Sequence, residues 1–304
     1  MLMSQATTLQ IGGPAKDFQV AKTESELIKI IMANQDLPAG RQDFLVIGGG
    51  SNLLVSDKGV NKLIIKNEIV STEQNGNKVI VSAGNILQDL VDYTIQYDLS
   101  GLQKLTGIPG TVGGAVYGNA GAYGQTISDH LIEVKAFDGE KIIILTKEQC
   151  QFGYRDSGFK KNRQTILEIT FLLEEGKSQI LASEASDILS KRLIKYPKGI
   201  KCPGSFFKNL VADDLPKEIL QKIPPDKITY GKISAGYLLE TVGAQGKVLD
   251  GIEIASYHAN LFVNKGNGTA KAFYDLAKKY AEKVKEKFGI TLEPEVQLIN
   301  LPSL

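Results

Sequence analysis

Three short stretches carry the residue types that could do chemistry: "FGYRDSGFK" around Arg155, "KCPGSFFKNL" around Ser205, and "LEPEVQLI" with Glu293 and Glu295. A guanidinium such as that of Arg155 binds a carboxylate through two parallel hydrogen bonds. Its competing use is a solvated pair with the adjacent Asp156. Ser205 does not sit in a hydrolase elbow, because that motif needs glycine at 203 and 207 and the chain has Pro203 and Phe207. Cys202 has only Lys201 beside it to lower its pKa, so it reads as a bystander rather than a nucleophile. Lys208 and Asn209 could hold a substrate phosphate or form an ordinary surface turn. Glu293 and Glu295 are two residues apart and would face one side of an extended strand, either at a site or as a charged surface; Pro294 marks an edge or a strand start.

Two glycine clusters raise a different possibility. "VIGGGSNLLV" places Gly48, Gly49, Gly50, Ser51 and Asn52 directly after a strand-like run, where successive N–H groups can converge on an anion. The Rossmann spacing fails, since the sixth position from Gly48 is Leu53 and no helix-forming run follows. A tight strand-to-strand turn is the alternative. The second cluster, "GIPGTVGGAVYGNAGAYG", has seven glycines in 18 residues, no charge and no clear period. Glycine costs backbone entropy, so such a run implies close approach of the backbone to something. Two such segments about 60 residues apart suggest a large dinucleotide held from both sides, a flavin rather than a single phosphate.

Several elements must position these residues. Thr23 and Glu26 form a capping box that opens a helix through "ESELIKIIMAN". "DFLVIGGG" is a buried strand entering a glycine turn, and "KLIIKN", "KVIVSAG" and "QTILEITFLLEE" are further strand runs. "ILQDLVDYTIQYDL" has a helical stripe at Ile86, Leu90, Tyr93 and Tyr97. "IEVKAFDGEKIIIL" is a hairpin about Asp138-Gly139. Residues 176–195 are helical, with Leu181, Ala185, Ile188, Leu189 and Arg192 on one side. A long helix begins near Thr269, buries Phe273, Ala277, Tyr280, Val284 and Phe288, and stops at Gly289. Strands mixed with helices but without regular alternation predict an α+β fold. The boundaries drawn are 1–66, 67–190 and 191–304.

Composition narrows the classes. The 304 residues are 42% hydrophobic and 23% charged with net charge +1, a globular composition that gives no reason to expect nucleic acid or a membrane surface as partner. No run reaches 18 apolar residues, and the start lacks a basic, then apolar, leader pattern. Two cysteines without a C-x-x-C pair and two histidines predict neither a disulfide framework nor a metal site, and fit a cytoplasmic location.

Taken together and in order, "TTLQIGGPAKDF", "IGGGSNLLVSD", "TGIPGTVGGAVYGNAGAYG", "FGYRDSGFK", "GSFFKN", "SAGYLLE", "HANLFVNKGNGTA" and "LEPEVQLI" resemble the UDP-N-acetylenolpyruvoylglucosamine reductase family, flavoenzymes of peptidoglycan synthesis. The resemblance spans nearly the whole chain and is closest to the family's shorter subtype. It implies a two-part FAD-binding portion of the vanillyl-alcohol-oxidase type, with subdomains 1–66 and 67–190, and a substrate domain over 191–304. It implies FAD and NADPH as cofactors and UDP-N-acetylglucosamine enolpyruvate as substrate; a monomer is expected. By the family pattern Arg155, Ser205 and Glu295 carry the chemistry. Ile47, Gly48, Gly49, Gly50, Ser51, Asn52 and Leu53 would contact the FAD pyrophosphate region. Gly107, Ile108, Pro109, Gly110, Thr111, Gly113, Gly114, Ala115, Asn119, Gly121 and Ala122 would cradle the rest of the cofactor. Lys208, Asn209, His258 and Asn260 would hold substrate. The implied roles are Arg155 at the substrate carboxylate, a protonated Glu295 donating to it, and Ser205 as proton donor to carbon. The chain departs from the family pattern at Tyr196, Pro203, Leu210 and Gly118. The alternatives are another FAD-dependent oxidase or dehydrogenase of the same flavin fold, or a nucleotide-sugar-binding module without catalysis.

Overall fold

The computed structural model describes residues 1–34 and 44–304. The chain folds into two compact units, each assembled from separated segments. The larger comprises Lys16–Gly49 and Asn61–Tyr196; the smaller comprises Met1–Ala15, Gly50–Val60 and Pro197–Leu304. The chain therefore crosses from one unit to the other inside the first glycine cluster, between Gly49 and Gly50.

In the larger unit, the strand Phe44–Ile47 lies parallel to Val60–Asn67, with Phe44 opposite Leu63 and Ile47 opposite Lys66. Asp43, the first residue of the predicted strand segment, lies outside the described residues. The strand Ala15–Ala21 completes this three-stranded sheet. The helix Glu24–Ala33 starts with the expected capping box: the Thr23 hydroxyl accepts from the Glu26 N–H, and the Glu26 carboxylate accepts from the Thr23 N–H. It buries Leu27 and Ile31 in a cluster with Phe44, Leu63 and Ile65.

A five-stranded antiparallel sheet forms the rest of this unit's framework. Its order is Ile142–Thr146, Leu131–Phe137, Thr165–Leu172, Lys78–Ser82, Thr72–Asn75. The Asp138-Gly139 hairpin is present, its turn tied by the Asp138 carboxylate, which accepts from the Glu140 and Lys141 N–H groups at 2.8 Å each. The helix Leu87–Gln96 is also present, but it buries a neighbouring stripe, Leu87, Leu90, Val91 and Thr94. Of the expected stripe, Ile86 is 46% and Tyr97 50% exposed. Aromatic bulk misleads here: the Tyr93 and Tyr97 rings pack on each other at 4.5 Å, and the Tyr93 hydroxyl donates to Gln74, so the two rings partly shield each other at the surface without entering the core. The helix Ser178–Lys195 buries Leu181, Ala185 and Ile188 and leaves Leu189 at its margin.

The smaller unit packs around aromatic side chains. Phe206, Phe207, Phe262 and Phe273 are buried, with ring centroids 4.7–6.4 Å apart. The helix Ala270–Phe288 supplies Phe273, Ala277, Tyr280, Val284 and Phe288 to this core, as expected. Thr269 caps its first turn, and Gly289, at φ 76°, ends it in the left-handed conformation that costs glycine nothing. Val248–Leu249, Ile252–Ile254 and Phe262–Asn264 form an antiparallel sheet. The strand Leu53–Val55 pairs in parallel with Gln297–Ile299, so the residues after the first glycine cluster join a strand from the far end of the chain. The glycines lead from strand to strand rather than from strand to helix, in keeping with the absence of the Rossmann spacing and with the strand-to-strand alternative.

Candidate active site

The larger unit brings the two glycine clusters together. A Cβ on Gly48 would overlap the Thr111 hydroxyl, and one on Gly49 would lie 3.0 Å from the Gly110 Cα. The second cluster is not irregular throughout: Val112–Gly118 is a short helix, capped by the Thr111 hydroxyl. Glycine is a poor helix former, and that penalty hid the helix from the sequence pattern. Packing outweighs it, since a Cβ on Gly113 would stand 2.7 Å from the Ala83 Cβ. The helix ends at Asn119 in the left-handed conformation, φ 44°.

The Arg155 loop is knitted to the end of that helix. Arg155 Nη2 donates to the Gly121 carbonyl at 2.6 Å and Nη1 to the Asn119 carbonyl at 3.5 Å. In return, Asn119 Nδ2 donates to the Gly153 carbonyl, and the buried Ser157 hydroxyl donates to the Tyr117 carbonyl. Arg155 itself sits at φ 54°, a left-handed conformation that a non-glycine residue holds only under constraint. Asp156 is engaged by Lys161 at 3.2 Å and Lys160 at 3.9 Å, while the Arg155 guanidinium turns to the glycine segment. Burial works against the Asp156 carboxylate, but the hydrogen bond from Lys161 and the charges of both lysines hold its pKa below the ordinary value.

The Ser205 and Glu295 segments are bonded together in the smaller unit. The segment Ser205–Lys208 runs between two others. On one side Ser205 bridges Leu261, and the Phe206 N–H donates to the Asn260 carbonyl at 2.9 Å. On the other side the Glu295 N–H donates to the Phe206 carbonyl at 2.7 Å, and the Lys208 N–H donates to the Glu293 carbonyl. Phe206 and Phe207 anchor the segment in the core beneath. The two candidate carboxylates part company: Glu293 is 74% exposed and pairs with Lys208 Nζ at 3.2 Å, whereas Glu295 is half-buried.

The residues assigned to substrate divide as well. Asn260 is 2% exposed, and both ends of its carboxamide are engaged by Phe207: Nδ2 donates to the carbonyl and Oδ1 accepts from the N–H, each at 2.8 Å. Asn209 Oδ1 accepts from the Ala235 N–H at the start of the helix Ala235–Thr241. This geometry supports a bracing role for both. His258 lines a cavity of about 280 Å³ together with Lys227, Ser234, Tyr237, Glu240 and Tyr257.

Sequence reasoning missed Thr106, Arg192 and the bracing contacts of Asn52. Arg192 Nη2 donates to the Gly107 carbonyl at 3.0 Å, and Gln88 accepts from the Gly107 N–H, fixing that turn at φ 75°. Burial pulls the Arg192 pKa down. Thr106 and Asn52 lie inside quoted motifs that do not reveal these contacts, and the only sequence signal of Arg192 is its polarity on a helix otherwise facing a core.

Comparison with known proteins fits this geometry. Residues 18–144 match the model of an FAD binding domain, and residues 196–299 match that of the UDP-N-acetylenolpyruvoylglucosamine reductase C-terminal domain. UDP-N-acetylenolpyruvoylglucosamine reductase of Solibacter usitatus is 39% identical over 298 residues, covering 98% of this chain and 95% of that protein. The chain belongs to the UDP-N-acetylenolpyruvoylglucosamine reductase family. A second member, reductase 2 of Bacillus cereus, is 34% identical over 302 residues, covering 98% of this chain and 91% of its own. The crystal structure of the Thermus caldophilus enzyme superposes with a TM-score of 0.78 at 30% identity, covering 98% of this chain and 97% of that one.

Within the FAD-binding match, the residues present suit a polar, extended ligand. Asn119 Oδ1 and Thr106 Oγ1 are buried and accept no hydrogen bond among the described residues; Thr106 immediately precedes the glycine segment and Asn119 lies within it. A buried polar atom without a partner is costly, and a ligand that supplies one removes the cost. Among the described residues no cluster of histidine, cysteine and carboxylate groups could hold a metal ion, and no helix is long and apolar enough to cross a membrane.

Proposed function

We propose that this chain is an FAD-dependent reductase that uses NADPH to reduce UDP-N-acetylglucosamine enolpyruvate to UDP-N-acetylmuramate, a cytoplasmic step in peptidoglycan synthesis. The observation that carries the reading is the direct backbone link between the Ser205 and Glu295 segments, in a chain that matches the family from end to end. FAD, when bound, supplies hydride transfer from NADPH to the terminal carbon of the enolpyruvyl double bond. Gly48, Gly49, Gly110, Thr111 and Asn119 are the larger unit's candidates for holding it.

The chain's own residues handle the charge and the proton. As hydride adds to the terminal carbon, negative charge grows on the adjacent carbon and spreads into its carboxylate. Arg155 is the group suited to bind that carboxylate and to stabilise the charge as it develops. Its anchorage on the Gly121 and Asn119 carbonyls means that little reorganisation accompanies the reaction. Glu295 is assigned to the carboxylate side. The Ser205 hydroxyl donates its proton to the adjacent carbon, a general-acid step. Lys208 and His258 remain the candidates for the anionic and sugar portions of the substrate.

The test is a spectrum followed by two additions. Purified protein loaded with FAD should show flavin absorbance, bleach on anaerobic addition of NADPH, and recover colour on addition of UDP-N-acetylglucosamine enolpyruvate. A protein that takes up no FAD, or a bleached one that the enolpyruvyl substrate leaves bleached, refutes the proposal.

A further inference from the structure

The Glu295 peptide is held from both sides, and one of its two partners is a side chain. Its N–H donates to the Phe206 carbonyl at 2.7 Å, next to Ser205. Its carbonyl accepts from Asn52 Nδ2 at 3.1 Å, across 243 residues of sequence. The Asn52 carbonyl in turn accepts from the Gln297 N–H at 2.9 Å. Asn52 thus grips the chain at both 295 and 297, where the parallel pairing of Leu53–Val55 with Gln297–Ile299 begins. A ladder needs only backbone groups to continue. Here it is extended beyond its last paired residue by a carboxamide, and the extension ends on the residue assigned to the substrate carboxylate.

We propose that Asn52 is a positioning residue for Glu295: its side chain fixes the 295 peptide and so aims the Glu295 carboxyl, rather than serving as a ligand of the FAD phosphates. The inference rests on the role given to Glu295 above. It makes the Glu295 side chain dependent on a residue of the first glycine cluster, and it gives that cluster a second task besides turning the chain.

The experiment compares Asn52→Ala, Glu295→Ala and the double variant, each loaded with FAD. Three quantities are read: the FAD dissociation constant by flavin fluorescence, the rate of bleaching by NADPH, and the rate of reoxidation by UDP-N-acetylglucosamine enolpyruvate. Asn52→Ala should slow reoxidation about 10- to 100-fold, the cost of a misaimed group, while FAD affinity and bleaching stay within about threefold of the parent. In the Glu295→Ala background the same change should cost less than about threefold, because residues that act as one unit are not additive. Asn52→Asp keeps the volume but replaces the donor with an acceptor facing a carbonyl. It should slow reoxidation at least as much, and it serves if the alanine variant folds poorly. Weakened FAD binding with both half-reactions falling together overturns the proposal in favour of a cofactor ligand. An equal cost of Asn52→Ala in both backgrounds overturns it too. If Glu295→Ala alone reoxidises normally, the role of Glu295 is refuted and the inference falls with it, a failure visible in that single variant.

Discussion

Arg155 and Ser205 are placed by opposite means. Arg155 sits in a loop, at a left-handed φ of 54°, and its own guanidinium ties that loop to the Gly121 and Asn119 carbonyls. Ser205 sits in an extended segment whose backbone is bonded on both sides and whose next two side chains, Phe206 and Phe207, are buried in the core. No hydrogen bond of the Ser205 hydroxyl is needed to hold that segment, since the Phe206 N–H, the Phe206 carbonyl and the Phe207 peptide are each engaged by neighbouring segments. In the first case the proposed functional group is also the structural brace; in the second, the proposed function and the support are separated. A substitution at Arg155 should therefore change geometry and chemistry together, whereas one at Ser205 should change chemistry alone.

Ser205→Ala should give the larger effect on rate and the smaller on structure. Reoxidation by the enolpyruvyl substrate should fall about 10²- to 10⁴-fold, the usual contribution of a positioned general acid. Bleaching by NADPH and the melting temperature should stay close to the parent, because the segment is held by its backbone. Stopped-flow spectra and a thermal melt test both halves of this statement. Equal loss in the two half-reactions would remove Ser205 from the role of proton donor.

Arg155→Lys should cost about 10²- to 10³-fold in reoxidation, comparable to deleting one preorganised donor at a developing charge. Lysine keeps the charge but cannot match the planar fork that spans two carbonyls. The distinguishing result is structural: unlike Ser205→Ala, this variant should also loosen the loop, seen as faster amide exchange over 153–157 and 119–121. A lysine variant with slow chemistry but unchanged exchange would show that the guanidinium is not the brace.

The same contrast explains what the sequence made legible. The long helix Ala270–Phe288 announced itself through its cap, its stripe and its terminal glycine, because all three signals are local. Arg155, Ser205 and Glu295 were visible through motif resemblance, but their supports were not. The Glu295 peptide is held by Phe206 and Asn52, 89 and 243 residues away, and no local pattern encodes such a contact. Asn260 and Asn209 illustrate the converse. A polar residue in a family-like motif reads as a ligand contact, yet here each carboxamide bonds the protein's own backbone. The helix Val112–Gly118 was hidden because propensity opposes it, and only the clearance against Ala83 shows why glycine is required there. The stripe on Leu87–Gln96 was shifted by one residue because tyrosines shielded by each other and by Gln74 imitate core residues.

The smallest expected effect concerns the two cysteines, one in each unit. Cys150, in the larger unit, is 1% exposed; burial, aided by the charge of Glu148, pushes its thiol up to about 11 from 9.0. Burial raises the Cys202 thiol too, but the Gly204 N–H offsets part of that rise. For Cys150 the folded state keeps its proton after the unfolded chain has released it. Above the unfolded value the unfolded state thus binds fewer protons, and stability falls as pH rises. The contribution is whole below pH 9 and is lost progressively toward about pH 11. Urea melts at pH 8, 9.5 and 10.5, values chosen to bracket roughly the lower part of that window, should show a steeper alkaline decline for the parent than for Cys150→Ala. The alanine variant begins less stable because it leaves a small cavity, so the slope and not the offset is the measure. Parallel slopes would mean that the Cys150 thiol titrates alike in the folded and unfolded chain, and that the core of the larger unit admits a thiolate more readily than its packing implies.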